Sequence, residues 1–104
     1  MTDNRTKTPG AKFIQGRTLA TPGAVAALEE SGQHPWEFLS RHTQGDWGNV
    51  GEEDWKRNDE ALLDGSRLLS AYLTLKGDRI WIITEAAGDD GRRAVTTILL
   101  PEEY

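Results

Sequence analysis

Residues 67–86 read RLLSAYLTLKGDRIWIITEA. This stretch decides the fold because its apolar residues recur with a period of two. Leu69, Ala71 and Leu73 alternate with Ser70, Tyr72 and Thr74, and Ile80 and Ile82 alternate with Trp81 and Ile83. Such alternation, in residues branched or aromatic, predicts two strands. The Lys76-Gly77-Asp78 step between them is a turn signal, so the two should pair antiparallel. A third strand follows in AVTTILL, residues 94–100, after a second turn signal, GDDG at 88–91.

Upstream of Gly65 the period is 3.6. TPGAVAALEESG (21–32) carries Thr21 as N-cap, Pro22 at the first helical position and Gly32 where a left-handed terminator belongs. Val25 and Leu28 mark its apolar stripe. HPWEFLSRH (34–42) predicts a second helix that buries Trp36, Phe38 and Leu39. EEDWKRNDEALLDG (52–65) predicts a third, with Glu52, Glu53 and Asp54 in a first turn that favours acids. KFIQGRTLA (12–20) is a candidate strand interrupted by Gly16. The expectation is an α+β fold: an N-terminal strand, three helices, then a three-stranded antiparallel meander, with the helices packed on one face. Residues 1–11 read as a disordered tail and 12–104 as a single domain.

The chain has 104 residues, 37% hydrophobic and 28% charged, with no cysteine and a net charge of −5. Its size suits one core. The absence of cysteine excludes disulfides and thiolate metal sites. No apolar run approaches the roughly 20 residues of a membrane span, and the polar start predicts a cytoplasmic protein. The charge is unevenly spread. Residues 1–20 carry a balance of +3, residues 21–64 set ten acids against Arg41, Lys56 and Arg57 for −7, and the remainder is nearly even. A broad nucleic-acid-binding face is usually basic, so this distribution favours a basic protein partner over RNA.

Polar residues on faces that should be buried are the candidate site. His42 shares a helix side with Phe38 and Leu39, and Asn58 lies between Trp55 and Leu62. Ser70, Tyr72, Thr84 and Thr97 stand on the strands. These six could converge between helices and sheet, either as a site or as an internal network of satisfied groups. In RHTQGDWGNV, residues 41–50, Gly45 and Gly48 allow sharp turns, Asp46 can cap backbone amides, and Trp47 can anchor the loop. An aspartate near His42 would raise its pKa toward neutrality, as acid–base chemistry needs. Two histidines without cysteine give no zinc pattern, and no phosphate-binding glycine motif occurs, so neither metal nor cofactor is expected.

Three stretches, ATPGAVAALEESGQHPWEFLSRHTQGDWG (20–48), RLLSAYLTLKGDRIWIITEA (67–86) and TTILLPEEY (96–104), make the chain resemble a family of small uncharacterised proteins of plasmids and integrated mobile elements. Members often carry an E-A-D-R-S-like connection before the last strand. Here EAAGDDGRRAV (85–95) stands in its place, with Arg92 or Arg93 for that arginine. The element order is also similar in outline to the barnase–EndoU–colicin–RelE-like ribonucleases. That similarity implies metal-independent cleavage, the RNA 2′-hydroxyl attacking its own phosphate. His42 would be acid or base, Arg67, Arg79 and Arg92 or Arg93 phosphate clamps, and Tyr72 and Thr84 phosphate-orienting groups.

Two readings of function follow. In the first, the chain is a mobile-element accessory protein, antitoxin-like or anti-defence. Its acidic helical surface, with Glu52, Glu53 and Asp54 foremost, would bind a basic protein partner. Trp47, Arg79, Arg92 and Arg93 are further binding candidates. In the second it is a metal-independent ribonuclease built on His42. Pairing of the sheet edge with a second copy is open in either case.

Overall fold

The computed structural model describes residues 10–104. The expected tail therefore lies outside the described residues, apart from Gly10 and Ala11. The elements run β1 (Arg17–Ala20), α1 (Pro22–Ser31), α2 (Pro35–Thr43), α3 (Glu52–Asp64), β2 (Leu68–Leu73), β3 (Arg79–Thr84), β4 (Val95–Leu99) and a 3-10 turn, Pro101–Glu103. The fold is α+β.

The helices start and stop where their capping residues dictate. The Thr21 hydroxyl accepts from the Ala24 amide at 3.2 Å, and Gly32 ends α1 in the left-handed region at φ 67°. At α2 the cap is less expected: the His34 Nδ1 lone pair accepts from the Trp36 amide at 3.0 Å. The glycine at 65 closes α3 at φ 81°.

The sheet has four strands in the order β1-β4-β3-β2 and is mixed. β2, β3 and β4 form the antiparallel meander, while β1 adds parallel to β4, Arg17 against Val95 and Ala20 against Ile98. The three-stranded meander is as the sequence led one to expect, and the N-terminal strand, whose partner the sequence left open, makes the sheet four-stranded and mixed. The alternation that revealed the strands does not encode which strand joins which.

Register places Ser70, Ile82 and Ile98 abreast, and the helices cover the face they share. Ala24 and Leu28 from α1 and Phe38 and Leu39 from α2 pack on Tyr72, Ile80, Ile82 and Ile98. A second cluster joins Phe13, Trp47, Ala61 and Leu68. The apolar stripe of α1 is Ala24, Ala27 and Leu28, not Val25, which is 40% exposed. Trp36 and Trp55 are likewise partly exposed, so of the four tryptophans only Trp47 is fully enclosed. Small alanines sit where α1 approaches the sheet, and the longer valine is turned outward.

Much of the outer edge of β2 is covered. The Asn58 side chain donates to the Leu69 carbonyl at 2.8 Å and accepts from its amide at 3.0 Å, imitating a neighbouring strand. Two residues on, the Ala71 amide donates to the Trp47 carbonyl at 3.1 Å, and the Asn49 amide donates to the Ala71 carbonyl at 2.6 Å. Gln33 Oε1 takes the Leu75 amide. Gly48 lies between the Ala71 contacts at φ 75°, where a β-carbon would overlap the Ala71 carbonyl and the Tyr72 ring. The glycine-rich loop is thus a substitute edge strand, and glycine is the residue that fits so close a backbone approach.

Candidate functional site

His42 is fully buried at the centre of the helix–sheet interface. Its ring meets Phe13 and Trp47 edge-on, with centroids 5.3 and 5.6 Å away. Nδ1 lies 2.5 Å from Ser70 Oγ and Nε2 2.9 Å from Thr84 Oγ1. Thr84 Oγ1 is 2.7 Å from Thr96 Oγ1, which donates to the Gln15 carbonyl at 2.7 Å.

The far end of this chain assigns every proton in it. The Gln15 carbonyl can only accept, so the single hydroxyl hydrogen of Thr96 points there. Thr84 must then donate to Thr96 and accept from Nε2–H, and Nδ1, left with a lone pair, accepts from Ser70. The imidazole is neutral, in one tautomer, with both nitrogens occupied. Its pKa falls to about 3, first because burial penalises the charged form and second because Arg93 repels it. Among the described residues no buried side-chain polar atom lacks a partner.

The expected aspartate–histidine pairing does not form. Asp46 pairs with Arg41 at 2.8 Å on the surface, and that bond holds its carboxyl below the usual range. Asp46 also accepts from the Gly48 amide, and its carbonyl accepts from the Tyr72 hydroxyl at 2.6 Å. The Arg41 guanidinium lies 4.5 Å from the Tyr72 ring centre. Tyr72 is therefore bound to the loop and not to His42.

Of the six polar residues expected to converge, His42, Ser70 and Thr84 do. Asn58 is spent on the edge of β2. Thr97 faces away from the helices, and its neighbour Thr96 takes the place given to it, because Thr84 pairs with Thr96 in register. The residue that sequence reasoning missed is Phe13, and the signal was its position two residues before Gln15 in the candidate strand 12–20.

The arginines are dispersed. Arg67 donates to the Tyr104 hydroxyl, and Tyr104 packs edge-on against Trp81, on the sheet face away from His42. Arg79 begins β3 and is exposed. Arg93 donates from Nη1 to the Ser66 and Glu85 carbonyls and from Nη2 to the Ala61 carbonyl. It thereby caps the C-terminal end of α3. Arg92 stays exposed beside a groove of about 890 Å³ between residues 12–17, the end of α3 and the 87–94 loop. Lys12, Arg17 and Arg93 share that groove with Asp64 and Asp89.

Glu52, Glu53 and Asp54 are exposed at the start of α3, with one ion pair among them, Asp54 to Arg57 at 3.6 Å. Trp47 is enclosed, its Nε1 donating to Asp59 of α3 at 3.0 Å. No three His, Asp or Glu side chains converge to hold a metal, and no helix is long and apolar enough to cross a membrane, among the described residues.

No protein-family model, curated protein or solved structure matches this chain.

Proposed function

We propose that this chain is a non-catalytic accessory protein of a mobile element, antitoxin-like or anti-defence, which binds a basic protein through its acidic helical layer. The observation that carries this reading is the enclosure of His42. An acid–base residue must reach the proton it moves, and here both ring nitrogens are bonded to the protein's own hydroxyls with no surface exposed. The candidate phosphate clamps Arg67, Arg79, Arg92 and Arg93 are dispersed, and Thr84 is already bonded to His42 and Tyr72 to the loop. The acids of α3 are, by contrast, exposed and almost without counter-ions, so an approaching cationic surface would meet an unneutralised field.

The test is a pull-down from cells carrying such an element, with wild type, a Glu52→Lys/Glu53→Lys/Asp54→Lys variant and His42→Gln. A partner kept by wild type and His42→Gln but lost by the triple variant supports the reading. Equal capture by all three overturns it.

Ribonuclease activity is the second reading, and the cationic groove is what favours it, since Lys12, Arg17 and Arg92 could hold a phosphodiester. Cleavage of labelled RNA in EDTA by wild type but not by Arg17→Ala/Arg92→Ala would move it first.

A further inference from the structure

The two edges of the sheet are treated differently. Along β2 the outward-facing main chain of Leu69 and Ala71 is satisfied by Asn58 and the 47–49 loop. Along β1 all four residues are exposed, and nothing among the described residues lies beyond it in the sheet. The Arg17 and Thr21 amides donate to Ala94 and Ile98. In a parallel ladder this alternation turns Leu19 toward β4 as well, leaving the amide and carbonyl of Thr18 and of Ala20 directed outward. Such an edge is a template for another strand.

We propose that the occupant is a second copy of this chain, with β1 pairing antiparallel to β1 across a two-fold axis at Leu19. Symmetry and the local sequence leave one workable register. Centred on Thr18, the pairing would need Gly16, which is out of strand geometry at φ 69°. Centred on Ala20, it would need an amide from Pro22, which has none. Centred on Leu19, Thr18 of each copy faces Ala20 of the other, and all four outward groups per copy are used.

The side chains accept that register. Leu19, 42% exposed in the monomer, meets its own copy at a non-hydrogen-bonded position, where side chains approach most closely. The sole charged residue of β1, Arg17, falls opposite Thr21 of the other copy. The two arginines are then about 13 Å apart along the strands, beyond the screening length at physiological salt. A short edge makes a small interface, so the dimer belongs to the weak, concentration-dependent class.

Sedimentation of the full chain from about 1 to 300 µM tests this, because self-association scales with concentration. Wild type should pass from monomer to dimer. Thr18→Pro should stay monomeric, since it removes an outward amide that the monomer does not use. Leu19→Lys and Leu19→Glu should each be monomeric alone, by like-charge opposition, and should form a heterodimer when mixed. That rescue separates the contact from any folding defect. A monomeric wild type at the highest concentration overturns the proposal, as does a dimer that persists in Thr18→Pro or a mixture that stays monomeric.

Discussion

At the scale of single residues, His42 is where chemistry and structure part. Helical spacing placed it on an apolar face, and sequence alone could not distinguish a poised base from a satisfied buried imidazole. The difference lies in Ser70 and Thr84, whose hydroxyls reach the ring, and in Thr96, which bonds Thr84 behind it, all placed by strand register. His42→Ala should leave Ser70 and Thr84 without their partner and open a cavity, lowering stability by roughly 2–5 kcal/mol in urea titration. The same enclosure sets a pH dependence. His42 titrates near 3 in the fold against 6.5 when unperturbed. Between those values the unfolded chain binds the extra proton, so this contribution to stability is complete above about 6.5 and is lost as the pH falls toward 3. The slope should approach about 1.4 kcal/mol per pH unit in mid-range. In His42→Gln it should flatten between about pH 5 and 6.5, where the surface carboxylates contribute least. An unchanged slope in that variant would assign the acid sensitivity to other groups.

At the scale of elements, the 44–50 loop and the 87–94 connection show how irregular segments complete regular ones. Gly48→Ala should cost at least about 2 kcal/mol, since it adds a left-handed alanine and a clash with Ala71. Gly77→Ala, also left-handed but facing open space, should cost only about 1 kcal/mol. Thermal unfolding of the two variants side by side checks the contrast. Arg93→Met should lower stability by about 1–3 kcal/mol through three lost carbonyl contacts, while Arg92→Met should leave it within about 0.5 kcal/mol. Near-equal effects would mean that Arg93 does not cap α3. Helices were legible here because their caps are local: Thr21, Gly32 and Gly65 each act within a few residues. The roles of Asn58 and Arg93 were not, because Asn58 answers a main-chain need 11 residues away and Arg93 answers needs 8 to 32 residues away.

At the scale of the whole molecule, charge is sorted by layer. The helices carry most of the acids of residues 21–64, and the cations Lys12, Arg17 and Arg92 line the groove at the end of α3. Binding to a basic partner should therefore weaken steeply with salt. A rise from about 0.05 to 0.5 M should reduce affinity at least tenfold, measured by calorimetry. Salt-independent affinity would point instead to an apolar contact. The α+β class could be read from the change of period at Gly65, but the neighbour of β1 could not. Parallel pairing with β4 depends on contacts some 78 positions apart.

That separation also imposes an order of assembly. β1 has no ladder until residues 95–98 are in place, and the carboxylate that caps α1 at Thr21 and Gly23 belongs to Glu103. Closing the longest loop comes late in folding. A chain extended only as far as residue 94 would therefore hold an incomplete sheet, with the main chain of β3 exposed where β4 belongs. During synthesis the N-terminal strand is made first and fixed last.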